Sequence, residues 1–406
     1  MAPVLSDSSL QTEINLPDAD GQPKANLGQV MSLSLGHLAN DFYGNMPQVL
    51  LQFIVTAGIG VGRASFLITV FQCTASLTQP LFGLMADRGN KRWLAYAGTA
   101  WMSVLLTLMG LTMNYGALVM LCALGGLGTA VFHPTASAMT AACSGRRKGF
   151  YQAFWMAAGN VGWALTPIIV VPLVKHGGLR MLPVLMIPGL AVAALLAWNA
   201  PQVATHAHAS GEALGAKLRA VYPELLRITA VVSGRSVTYF SLVSFVPLFY
   251  AARGVSTDAC KWWLFVTLLF GALGGMAGGW LSDRWARRDG RRRVVMYSLI
   301  LSSLFLNVFC MTSGLVSNLA LVIGATFLMA SFSTTVVLAH QAIGSSAALA
   351  SGLMIGFAVG IGGLGVGVLG QVAERHGIAA AVRVMACLPL VAGLLATRLK
   401  KRQACG

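Results

Sequence analysis

Residues 83–88 read Gly-Leu-Met-Ala-Asp-Arg, and residues 279–284 read Gly-Trp-Leu-Ser-Asp-Arg. Both obey Gly-x-x-x-Asp-Arg, both close a long apolar run, and both precede a cluster of basic residues. One copy would be weak evidence of anything. Two copies at matched places in two halves of the chain indicate an internal duplication. A softer echo, Phe132-His133-Pro134 against Ala339-His340-Gln341, points the same way.

The apolar runs around these motifs set the class. Of 406 residues, 56% are hydrophobic and only 10% are Asp, Glu, Lys or Arg. Soluble domains carry roughly 25% charged residues, so a soluble enzyme and a disordered protein are both excluded. A helix needs about 20 apolar residues to cross a bilayer. Twelve such runs are present, at 28–55, 64–86, 93–113, 116–142, 150–174, 181–200, 228–251, 262–281, 294–312, 319–341, 352–372 and 379–397. The expectation is an all-α integral membrane protein with twelve transmembrane helices in two pseudo-symmetric six-helix bundles. Residues 1–27 form a polar N-terminal tail, 28–200 the first bundle, 201–227 a polar linker, 228–397 the second bundle and 398–406 a basic tail. Within the linker, 213–226 reads either as solvated chain or as an amphipathic surface helix.

The net charge of +16 superficially suggests nucleic acid. The positives, however, sit in short clusters between apolar runs, which is the pattern of cytoplasmic loops. With the N-terminus inside, twenty of the 28 Lys and Arg fall in cytoplasmic segments and six in outer loops. Both termini are therefore expected in the cytoplasm, with the chain in a bacterial inner membrane. Seven scattered Cys show no CxxC and no His/Cys ligand spacing, so no disulfide framework, metal or cofactor is expected. The P-loop pattern that binds ATP is also absent. Two homologous bundles around a central site describe a secondary transporter.

Few polar groups lie inside the spans, and they are the candidates for mechanism. Asp41 is the one acid well inside a span. A buried carboxylate must be paired, protonated or in an aqueous cavity. His37 and Asn45 share its helical face, and Asn40 precedes it. Arg235 and Arg383 are the two basic residues inside spans. His133 and His340 sit at comparable levels of spans 4 and 10, either as proton relays or as polar helix contacts. Pro134 is expected to bend span 4. Gln72, Gln79, Gln152, Asn160, Tyr239 and Gln341 offer polar contacts to a substrate, and Phe154, Trp155 and Trp163 offer aromatic walls or plain packing. Gly352, Gly356 and Gly360, then Gly363 and Gly367, give span 11 a smooth face for close helix approach. Gly159 and Gly162 offer the same in span 5.

The duplicated loop motif, the six-plus-six count and the central linker resemble the major facilitator superfamily. Ser34-Leu35-Gly36-His37-Leu38-Ala39-Asn40-Asp41 is similar to the Ser-x-x-His-x-x-Asn-Asp opening of its fosmidomycin-resistance branch. Val131-Phe132-His133-Pro134, Gly159-Asn160, Arg235-Ser236, Phe245-x-Pro247-Leu248 and Ser351-Gly352-Leu353 fit as well. The chain departs where Thr135 replaces a Glu, where Gln341-Ala342 replaces Gln-Glu, and where Thr166-Pro167 replaces Gly-Pro. The resemblance implies a monomer that exports a small drug-like or anionic compound against protons by alternating access. The departures leave a proton symporter or facilitator importing a metabolite as the alternative. It also implies that Gly83, Asp87 and Arg88, and Gly279, Asp283 and Arg284, lock an inner gate. The central cavity of that fold would bring Asp41 and Arg235 together.

Overall fold

The computed structural model describes residues 25–79, 81–82, 85, 92–145, 148–201, 211–285, 289–343, 356 and 358–399. In chain order the helices are α1 (Leu27–Gly44), α2 (Met46–Thr56), α3 (Val61–Leu77), α4 (Trp93–Leu108), α5 (Tyr115–Cys143), α6 (Lys148–Gly177), α7 (Met186–Asn199), α8 (Gly211–Ala252), α9 (Thr257–Arg284), α10 (Gly290–Met311), α11 (Gly314–Ile343), α12 (Ala358–His376) and α13 (Ile378–Ala396). Short 3₁₀ turns at Met109–Leu111 and Leu179–Leu185 extend α4 and lead into α7.

Side-chain caps and turn glycines set the ends. Asn26 accepts a hydrogen bond from the Gln29 N–H at 3.1 Å, and Asn114 accepts from the Ala117 N–H at 3.0 Å. Gly377, at φ 85°, turns the chain sharply between α12 and α13, where a side chain would be strained. From the turn just after α8, the Arg253 guanidinium donates to the carbonyls of Phe309, Cys310 and Thr312 and caps α10. The first span, expected as one helix, is two: Pro47 lacks the N–H that would continue α1, so the chain restarts at Met46. Span 4 stays helical through Pro134. The second half of the expected linker is also helical, since α8 begins at Gly211 and runs unbroken into the membrane-type segment.

Among the described residues nine helices are long and apolar enough to cross a membrane. The broken α1–α2 pair, the shorter α3 and α12 complete twelve segments. Large side chains on their outer faces are bare, including Trp198 at 88% and Met311 at 84% exposure. In water such faces would drive aggregation, whereas in lipid they need no cover.

The duplication is visible in the packing. In the first half α1 lies on α6 and α7, α3 on α5, and α4 on α5 and α7; in the second half α8 lies on α12 and α13, α9 on α11, and α10 on α11 and α13. The halves meet along α3–α12 and α6–α9, two contacts related by the same six-segment shift. The α3–α12 seam depends on missing side chains. A Cβ on Gly363 would stand 2.3 Å from the Gln72 Cβ, and one on Gly370 would stand 2.4 Å from the Ser65 Cβ. Thr69 Oγ1 donates to the Gly363 carbonyl across this seam at 2.7 Å. Of the glycine face expected on span 11, Gly356, Gly360, Gly363 and Gly367 line this contact between bundles, and Gly352 lies outside the described residues.

The two ends of the molecule differ. One, which we term the basic end, carries the start of α1, Arg92, Arg227, Arg284 and Arg398; the far end carries Arg63, Lys175, Asp258 and Glu374. Toward the far end one apolar core runs through both halves, joining Val49, Leu50 and Ile54 of α2 and Phe71 of α3 to Phe245 and Phe249 of α8 and Val366 and Leu369 of α12. There Lys175 of α6 also pairs with Asp258 of α9. Toward the basic end the core divides. One cluster around Leu33, Phe132 and Leu196 belongs to the first half, and another around Val231, Leu299 and Ala392 belongs to the second.

Candidate functional site

Three titratable side chains converge within the first bundle. One helical turn of α1 puts His37 and Asp41 on the same face, with His37 Nε2 3.4 Å from Asp41 Oδ2. From α5, His133 Nε2 approaches the other carboxylate oxygen, Oδ1, at 3.2 Å. His37 is 2% exposed, Asp41 16% and His133 19%. The nitrogens on the opposite side of both rings face backbone carbonyls: His37 Nδ1 lies 2.8 Å from the Trp155 carbonyl and His133 Nδ1 3.1 Å from the Thr129 carbonyl. A carbonyl only accepts, so each Nδ1 carries the hydrogen and each Nε2 is turned to the carboxylate.

That arrangement has a chemical consequence. With Nδ1 protonated, a neutral imidazole presents a lone pair at Nε2, and a carboxylate oxygen presents another. Each of the two contacts becomes a hydrogen bond only when a further proton sits in it. The ligand-type atoms of these three residues lie within 4.8 Å of one another.

Neighbours hold the cluster in place. The Trp155 ring from α6 stacks on His37 with centroids 3.8 Å apart and planes 18° apart. His37 and His133 meet edge-on at 5.0 Å. Gly159, also on α6, makes the room: a Cβ there would fall 2.5 Å from Asp41 Oδ2 and 2.6 Å from His37 Cε1. Fully buried Asn40 accepts a hydrogen bond from Thr129 Oγ1 at 3.2 Å, tying α1 to α5 beside the carboxylate.

In this structure Asp41 and Arg235 form no direct ion pair among the described residues. Asp41 is satisfied within its own bundle by two histidines. Arg235, on α8 in the other bundle, lies over the Phe332 ring at 4.5 Å and donates from Nη2 to Ser236 Oγ at 3.3 Å. It is 4% exposed, and its Nη1 has no hydrogen-bond partner among the described residues. Tyr239, one turn further along α8, lies within electrostatic reach of both Asp41 and Arg235. Its ring also meets Trp163 of α6 at 5.6 Å, joining the bundles. Both charged sites thus face the region between the halves, each with its own neighbours.

The model for the Major Facilitator Superfamily matches residues 33–323. The chain belongs to the major facilitator superfamily. This membrane transporter is 27% identical over 384 residues to the fosmidomycin resistance protein of Escherichia coli (strain K12), covering 91% of this chain and 92% of that one. It is 30% identical to the uncharacterized MFS-type transporter YfnC of Bacillus subtilis (strain 168), covering 81% and 82%. Among solved structures, a bacterial homolog of the human lysosomal transporter Spinster, inward-facing and unoccupied, superposes with a TM-score of 0.75 at 15% identity. That match covers 93% of this chain and 98% of the other. The twelve segments are accordingly the two six-helix bundles of the major facilitator fold, and the cargo of the transporter is a small molecule.

The remaining candidates of the transporter fall into place unevenly. Gln152 donates to Ser137 Oγ at 2.8 Å and so links α6 to α5. Asn45, one turn beyond Asp41, meets the same neighbouring helix α6 and donates to the Trp163 carbonyl at 2.9 Å. Gln79 donates to the Ala75 carbonyl on its own segment at 2.9 Å. Gln72 is buried in the seam against Gly363. Asn160 is half-buried and Phe154 largely exposed. Arg383 is exposed on α13, at the periphery. Of the gating set, Gly279 packs beside Ser333 and Arg284 lies over the Trp280 ring at 5.4 Å. Gly83, Asp87 and Arg88, with the side chains of Asp283, His340 and Gln341, lie outside the described residues. Sequence reasoning missed Gln48, which is fully buried with neither side-chain polar atom partnered among the described residues, and the positioning parts played by Thr129, Gly159 and the Trp155 carbonyl. A polar amide immediately after the Asn45-Met46-Pro47 break of span 1 was the available signal for Gln48.

Proposed function

We propose that this transporter is a proton-coupled exporter, exchanging a small drug-like or anionic compound against protons across a bacterial inner membrane with both termini in the cytoplasm. The observation that carries the reading is Asp41 set between two imidazoles whose outer nitrogens are held by carbonyls. Emptied of bridging protons, the cluster bears one negative charge and opposes lone pairs at 3.2 and 3.4 Å. With one bridging proton it is neutral; with two, both contacts are hydrogen bonds and the cluster is positive. Proton arrival and departure therefore change the attraction between α1, α5 and α6, and change the field at Tyr239 and Arg235 in the other bundle. An anionic cargo is matched to the spare Nη1 of Arg235. The name of the Escherichia coli relative supports export, and the concentration of arginine and lysine at one end supports that end as cytoplasmic.

The test is Asp41→Asn in membrane vesicles. An amide keeps the size of the side chain and removes the shared anionic site. Accumulation of a cargo found by sensitivity screening should follow an imposed pH gradient in inside-out vesicles of the parent and be lost in the variant, while cargo binding persists. Unchanged gradient-driven accumulation by Asp41→Asn overturns the coupling role. Accumulation confined to right-side-out vesicles would instead make the protein an importer.

A further inference from the structure

A groove at the basic end lies well away from the cluster. It runs between α8 and α13 and is lined by Leu226, Arg227, Ala230, Leu395 and Arg398. Its composition is divided. Leu226 and Leu395 are 54% and 37% exposed, and Val391 and Leu394, on the turns of α13 leading to it, are each 55% exposed. These faces belong to membrane-spanning helices, so they meet acyl chains. Guanidinium groups stand at the mouth. Arg227 Nη1 pairs with Glu224 Oε2 at 3.0 Å, which occupies one edge of that fork. Among the described residues no carboxylate pairs with Arg398. A third arginine adjoins it, since Arg292 Nη1 donates to the Thr397 carbonyl at 2.7 Å. In the sequence, Lys217 and Arg219 precede Arg227, and Lys400, Lys401 and Arg402 follow Arg398.

We propose that this groove binds an acidic phospholipid, its phosphate held between Arg227 and Arg398 and its acyl chains laid along Leu226, Leu395 and the exposed face of α13. Charge complementarity selects an anion, because Arg227 and Arg398 line the groove and Arg292 adjoins it through the Thr397 carbonyl. The apolar floor selects an amphiphile over a free phosphate, which would gain nothing from leucine. The location selects a lipid over a protein partner, since the floor continues into the hydrocarbon-facing surface. Basic pockets between membrane helices are suited to such head groups, and their attraction is electrostatic. The site also has leverage: α8 carries Arg235 two turns further along, and α13 packs on both α8 and α10. A bound lipid would clip α8 to the end of α13.

The experiment is native mass spectrometry of the full-length protein in a neutral detergent, titrated separately with phosphatidylglycerol, phosphatidylcholine and inorganic phosphate. Phosphatidylglycerol should remain bound where phosphatidylcholine dissociates. Arg227→Gln with Arg398→Gln should weaken its retention about 30-fold, roughly five-fold for each charge. Arg63→Gln with Arg180→Gln, at the far end, should change nothing. Arg227→Lys with Arg398→Lys preserves the charge and should retain most binding, which guards against simple misfolding of the Gln pair. Leu226→Gln with Leu395→Gln should weaken the lipid as well. Equal retention of the two lipids, or full retention by the Arg-to-Gln pair, overturns the proposal. Displacement of the lipid by equimolar inorganic phosphate also overturns it, by making the ligand a free anion.

Discussion

Gly159→Ala should disable the cluster while adding a single methyl group. The added Cβ would lie 2.5 Å from Asp41 Oδ2, 2.6 Å from His37 Cε1 and 2.7 Å from His37 Nε2. Non-bonded contacts to carbon settle near 3.5 Å, so the carboxylate or the ring must retreat by roughly 0.8 Å or more. The His37–Asp41 contact already stands at 3.4 Å, and a further retreat takes it beyond hydrogen-bond range. A hydrogen bond to a charged group contributes about 1.5–3 kcal/mol. Loss of one such bond should cut gradient-driven transport roughly ten- to a hundred-fold. The measurement is initial-rate uptake in proteoliposomes across a series of imposed pH gradients, normalised to folded protein. Gly189→Ala separates site damage from packing damage, because its Cβ would meet Ser103 Cβ at 2.3 Å and Tyr43 Oη at 2.7 Å, two residues outside the cluster. Gly189→Ala should lower the melting temperature and leave the pH dependence of transport unaltered. A Gly159→Ala protein that transports at the parent rate with the parent pH dependence would refute the reasoning.

Two further substitutions test the second bundle and the seam. Arg235→Ala should abolish binding of an anionic cargo, measured by isothermal titration, and Arg235→Lys should restore it in part, since lysine keeps the charge without the planar fork; equal affinity in all three proteins would remove Arg235 from the binding site. Gly363→Val should drive a branched side chain into Gln72, whose Cβ lies 2.3 Å from the first added carbon, and should arrest transport with a clear fall in thermal stability; a fully active, fully stable protein would mean that the halves are not held at this seam.

The architecture was largely legible from the amino-acid order. Twelve apolar runs can satisfy their backbone groups in lipid only as helices, and the paired Gly-x-x-x-Asp-Arg stretches expose the duplication before any coordinate is known. Breaks were less legible. Pro47 stops α1 because its missing N–H lies mid-helix, whereas Pro134 sits in a helix that continues through it. The difference lies in what the surrounding helices can tolerate, which periodicity does not encode. Helix α8 likewise extends through polar residues that read as linker.

Within the site, the same distinction holds. His37 and Asp41 are one turn apart on one helix, so their proximity was determined as soon as that helix was. His133 is far away in sequence, and only the crossing of α1 and α5 delivers its Nε2 to the second carboxylate oxygen. Charge complementarity pointed Asp41 toward Arg235, the one strong cation on a pseudo-equivalent span. Tertiary packing chose histidines instead, because α1 packs on α5 and α6 inside its own bundle. Gly159 carries the lesson furthest. As a letter it suggested a smooth helix face; in three dimensions it is the space that a carboxylate and an imidazole occupy. Helix formation and membrane insertion depend on local composition and could be read directly. The cluster of His37, Asp41 and His133 depends on a 3.2 Å approach between distant segments, which no local rule specifies.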